Sequence, residues 1–97
     1  MIVDKPHALN VIEQAEIELN TLDFETREQA FGDLYEWQRQ TVIRLAEALG
    51  ENAAEVIAIR MHYLYVPGWS NADFTLWDGY RDQLGEQLYK AKKHLWR

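Results

Sequence analysis

The chain has 97 residues, no cysteine, and 16 acidic against 10 basic side chains, for a net charge of −6 at neutral pH. One hydrophobic core fits this length, and a hydrophobic content of 47% with four Trp, five Tyr and three Phe excludes an intrinsically disordered segment. Without cysteine there is no disulfide, thiolate metal centre or cysteine nucleophile.

No run approaches the roughly 18 to 20 apolar residues of a membrane span. Met1–Pro6 lacks the basic stretch and apolar core of a secretion signal, so a cytoplasmic protein without membrane contact is expected. Charge is unevenly placed. Residues 1–36 hold nine acids (Asp4, Glu13, Glu16, Glu18, Asp23, Glu25, Glu28, Asp33, Glu36) against Lys5 and Arg27, whereas residues 87–97 hold Lys90, Lys92, Lys93 and Arg97 with no acid. Phosphate binding draws on clustered positive charge, so the chain as a whole is not expected to bind nucleic acid directly. Its acidic half suits a basic partner.

Taken in chain order, Asp4 before Lys5-Pro6 suits a helix start, and Ala8, Ile12, Ala15, Leu19 and Leu22 continue at helical spacing to about residue 21. Thr26-Arg27-Glu28-Gln29 has the form of a capping box and opens a second helix that runs to Gly50. On its wheel Phe31, Leu34, Tyr35, Val42, Leu45, Ala46 and Leu49 share one face, Gln38 is the polar intruder and Trp37 sits at the edge. Asn52 with Glu55 signals a third start. Over residues 55–66 two periods compete, because Val56, Ile57, Met61 and Leu64 recur as in a helix while Ile57, Ile59, Met61, Tyr63 and Tyr65 alternate as in a strand. A lone strand has no pairing partner elsewhere in this chain, which favours a helix from Ala53 to about Tyr65.

Val66-Pro67-Gly68-Trp69 reads as a turn, and Ser70 or Thr75 as the cap of a last helix carrying Trp77, Tyr80, Leu84, Leu88, Ala91 and Leu95 in one stripe. The expected fold is therefore all-α, a single domain over 1–97 with four helices in an antiparallel bundle or an orthogonal packing.

No motif of the di-iron, zinc-protease, phosphate-loop or EF-hand kind occurs, and no cofactor or metal is expected. His7 suits a solvated surface, and His94, with Lys92 and Lys93, suits the negative end of the last helix. Arg60 and His62 lie in an otherwise apolar segment. A guanidinium leaving water there needs a carboxylate from another helix, or else Arg60, His62 and Tyr63 line a ligand or catalytic pocket in which an acid orients His62. Glu28, Asp33 and Glu36 form a solvated acidic face.

Opposite the stripe of the last helix, Gly85, Tyr89, Lys92 and Trp96 gather where solvent is expected, and large aromatics beside a cation are common anchors of protein interfaces. Met1–Val3 or a second copy of the chain is the alternative cover for that face; Trp37 and Trp69 are further anchors. These features together predict a non-enzymatic protein-binding module, of the adaptor, inhibitor or immunity type, whose acidic half blocks a nucleic-acid-processing protein and which self-associates as a homo-oligomer. The competing expectation is a small enzyme or ligand-binding domain built around Arg60 and His62.

Overall fold

Asp4 opens the first helix as its sequence suggests: its carboxylate accepts the backbone N–H of His7 at 3.0 Å, with Pro6 in the first turn where no donor is needed. A computed structural model describes residues 3–64 and 73–96, in which the chain forms α1 (Lys5–Asn20), α2 (Arg27–Leu49), α3 (Ala54–Arg60) and α4 (Asp73–Leu95), with no strand among the described residues. The expected Val66–Trp69 turn, the Ser70 cap, Tyr65, Trp69 and Arg97 lie outside them.

Thr26 caps α2 by accepting from Gln29 N–H at 3.3 Å, and Gly50 ends it with φ of 91°, a conformation that glycine adopts without a Cβ penalty. The chain then turns tightly, with Ala53 N–H bonded to the Gly50 carbonyl at 3.2 Å. That turn takes up Asn52, which therefore does not cap α3; the capping position falls on Ala53, which makes no side-chain cap hydrogen bond. Thr75 is likewise no cap, since it lies within the first turn of α4.

Inter-helix pairs fix the directions. Asp4 N–H bonds the Ala48 carbonyl at 2.9 Å and Trp37 Nε1 donates to the Ala15 carbonyl at 3.0 Å, so α1 and α2 are antiparallel. Lys92 reaches Glu16 while Arg81 reaches the Leu22 carbonyl, so α4 also runs antiparallel to α1. Glu55 meets His94 and His62 packs on Tyr80, which sets α3 antiparallel to α4. The result is an up-down-up-down bundle of 45 × 21 × 18 Å. In it α3 packs on α2 and α4 but does not touch α1 among the described residues.

The interior is the predicted stripes of three helices meeting, Ala8, Ile12, Ala15 and Leu19 from α1, Leu34, Leu45 and Leu49 from α2, and Trp77, Leu84, Leu88, Ala91 and Leu95 from α4; α3 departs from its expected stripe, burying Val56 and Ile59 while Ile57 and Met61 stay exposed, because its inward face is the one toward α2 and α4. Two expectations for α2 are corrected. Trp37 is core, only 6% exposed, whereas Tyr35 is 60% exposed. They occupy opposite shoulders of the same stripe; the long α1 covers the Trp37 shoulder, while α3 ends before it reaches Tyr35. Trp77 is the second buried indole, donating to the Ala30 carbonyl at 2.9 Å, with Phe24 and Phe74 edge-on or tilted around it. Each buried indole N–H thus has an acceptor.

Helix α3 is shorter than its periodicity suggests. The Gln38 amide donates to the carbonyls of Ile59 at 2.9 Å and His62 at 2.6 Å. A continuing helix would offer the Ile59 carbonyl to the N–H of Tyr63. Gln38, the polar intruder of α2, instead satisfies the end of α3 from across the core.

Candidate protein-binding surfaces

The pocket expected around Arg60, His62 and Tyr63 is not assembled as one site. Arg60 is exposed and has no carboxylate partner among the described residues, so the expected buried ion pair is absent there; the side chain stays in water, where its charge needs none. His62 turns the other way, half-buried with its ring edge-on to Tyr80 at 6.3 Å, and among the described residues no acid orients it and its Nε2 lacks a hydrogen-bond partner. Tyr63 is exposed. Residues two apart on a helix do not face each other, so only an extended segment would have brought Arg60 and His62 to one face.

His94 does more than face the end of α4. Its Nδ1 bonds the carboxylate of Glu55, whose side chain is only 11% exposed in the first turn of α3. His7 is exposed, as expected. No group of three or more His, Asp or Glu is placed to hold a metal ion, and no helix is long and apolar enough to cross a membrane, among the described residues.

The acidic face is solvated but not purely acidic. Glu28 and Asp33 are exposed, whereas Glu36 accepts from Arg39 at 2.9 and 3.2 Å and from Gln40 at 3.0 Å. Those hydrogen bonds, Arg39 first, hold the Glu36 carboxyl below its usual range, and Arg39 is raised in turn. Because the folded-state pKa is the lower one, the small contribution is present above the ordinary carboxylate pKa and is lost as pH falls through the lowered value. Nearby, Arg44 pairs with Glu18 at 3.3 Å. Arginines thus stand among the carboxylates on this side of the bundle.

On α4, Tyr89 and Trp96 are 59% and 66% exposed. Their position is more exact than the wheel suggested: the group forms the shoulder beside α1 rather than the side opposite the core. Gly85 is half-buried there, and a Cβ on it would lie 3.6 Å from Leu19. Lys92 leans across the same shoulder, 3.5 Å from Glu16 and 5.6 Å from the Trp96 ring centre. Val3 is itself exposed and does not bury either ring. Trp37, the other described anchor candidate, is removed from the surface by its place in the core.

A second surface has no counterpart in the sequence reading. Between α2 and α3 runs an open groove lined at one end by Tyr35, Gln38 and Arg39 and at the other by Ala46, Glu47, Glu51 and Val56, with Val42, Ile43 and Arg60 common to both. Tyr35 and Ile43 remain exposed, as do Ile57 and Met61 on the outer side of α3. Its signal was present as the i, i+4 series Tyr35, Arg39, Ile43, Glu47, hidden because a mixed series does not stand out as an apolar stripe. Comparison of the chain with protein-family models, with curated proteins and with solved structures found no match.

Proposed function

We propose that this chain is a non-enzymatic protein-binding module that docks through the α4 shoulder of Tyr89, Lys92 and Trp96. The observation that supports this reading is the contrast among its tryptophans: Trp37 and Trp77 are buried with their indole N–H groups satisfied, while Trp96 stands 66% exposed beside an exposed Tyr89. Large amphipathic rings next to a cation give much contact area at low ordering cost, which is why they concentrate in interface hot spots. Lys93 lies beside the rings, while Lys92 and Lys90 are engaged by Glu16 and Glu86, so the complementary partner is a protein with an apolar slot and a carboxylate at its edge. The acidic face supports the adaptor or inhibitor reading less strongly, because Arg39 and Arg44 offset Glu36 and Glu18.

A photoreactive amino acid in place of Tyr89, with one in place of Asp33 as the opposite-face control, tests the reading in the cells that make the protein. Crosslinking to one protein from position 89, lost on Trp96→Gln, is the expected result. Crosslinks from position 33 with none from position 89 would move the binding face to the acidic side and overturn it.

A further inference from the structure

We infer that the docking face of α4 extends onto α1, where Glu16 is a positioning residue that orders the Trp96 ring through Lys92. This deepens the α4 reading and rests on it.

Lys92 stands at the centre of the face, three residues after Tyr89 and four before Trp96, so the three side chains share one side of α4. A helical side chain leans back over the preceding turn, which lays the Trp96 ring toward Lys92. The ammonium is 5.6 Å from the ring centre, within the reach of a cation–π contact. It is also 3.5 Å from the Glu16 carboxylate of α1. One cation therefore ties the ring to the neighbouring helix.

That tie differs from the other lysine pair of α4. Lys90 and Glu86 lie on one helix and are both more than half exposed, whereas the side chains of Lys92 and Glu16 are 24% and 32% exposed and join two helices. A partly buried pair is screened less by salt than an exposed one. Glu16 also projects from a fixed point, because its neighbour Ala15 is buried and Leu19 packs over Gly85. A lysine stem is long and flexible, and this carboxylate draws its charge to one place. Docking a loose side chain costs the freedom it loses, and a ring already held avoids that cost. Lys92 thus acts on the ring, which leaves Lys93 to meet the partner's carboxylate.

Nitrogen-15 relaxation of the indole groups in the full chain tests the tether with no partner present. Loss of a signal in Trp96→Phe assigns the ring, and the buried Trp37 and Trp77 serve as references. The expected result is a Trp96 indole restrained nearly as well as theirs, loosened by Lys92→Met and by Glu16→Gln, and restrained again in Lys92→Arg, whose planar cation takes both a carboxylate and a ring. Lys90→Met, which removes a cation outside the tether, should change nothing. If Glu16→Gln loses its helical signal, added salt must loosen the same indole of the unaltered chain in its place. A Trp96 indole that is mobile from the start, or one that stays restrained in Glu16→Gln whatever happens to the melting temperature, overturns the inference. With a photoreactive residue at position 89, Glu16→Gln should lower crosslinking to the partner roughly two- to fivefold, the weight of one exposed cation–π contact. An unchanged yield overturns the inference as well. No crosslink from position 89 with Glu16 intact means that the α4 reading itself fails, an outcome that the indole signals distinguish from failure of the tether.

Discussion

Along the α1–α4 seam Leu19 packs over Gly85, Leu84 and Leu88 are fully buried, and the edges are tied by Lys92 to Glu16 and by Arg81 to the Leu22 carbonyl. Along the α2–α3 seam Val56 and Ile59 are as well buried, yet an apolar groove stays open beside them and a single amide, Gln38, ties the end of α3. Both seams draw on similar side chains. What differs is length: 23 residues of α4 offer α1 a whole face, while seven residues of α3 cover only part of what α2 presents. A short helix leaves its neighbour's shoulder exposed, and the exposed shoulder becomes available for something else.

The largest expected effect tests the filled seam. Leu88→Ala removes a fully buried side chain from between long helices that have little freedom to close on the space, and should cost about 2 to 5 kcal/mol in urea unfolding. A cost well below 1 kcal/mol would show that this seam relaxes and that the contrast with α2–α3 is overstated.

Next comes the open seam. Gln38→Leu keeps bulk but removes the donor to the Ile59 and His62 carbonyls, and should destabilise by about 1 to 3 kcal/mol, measured the same way. Unchanged stability would mean that water replaces the amide and that Gln38 does not hold α3 in place.

The smallest change goes in the opposite direction. An Ala at Gly85 would place its Cβ 3.6 Å from Leu19, an ordinary contact distance, inside a helix where glycine costs up to about 1 kcal/mol. Gly85→Ala should therefore raise the melting temperature by a few degrees, since about 1 kcal/mol corresponds to roughly 4 to 8 °C in a domain this small. A fall on thermal unfolding would show that the α1–α4 seam has no room for a methyl group.

The three long helices were legible because each carries a sustained 3.6-residue stripe and, for α1 and α2, a capping residue that the structure uses as read, Asp4 and Thr26. The end of α3 was not, because the group that stops it, Gln38, stands 21 residues away from Ile59 and reaches it only through the tertiary fold. Trp37 and Tyr35 could not be told apart for a similar reason. A wheel shows two shoulders of equal angle, and only the lengths of the neighbouring helices decide which is covered. Tyr89 and Trp96 were found because their shoulder lies outside any stripe, whereas the α2–α3 groove needed two helices at once to be seen. Arg60 and His62 were grouped by closeness in sequence, although two residues apart on a helix do not share a face.

The seven-residue length of α3 also bears on how the molecule fluctuates. A helix of that size is far below the roughly 12 to 15 residues at which an isolated helix becomes even marginal in water, so its hydrogen bonds persist through tertiary contacts such as Val56, Ile59, the Gln38 amide and the Glu55–His94 pair. Opening this one segment exposes much less surface than opening α1, α2 or α4. Amide hydrogens from Ile57 to Met61 should accordingly exchange with solvent deuterium through excursions that leave the three-helix remainder intact, at a free energy below that of global unfolding.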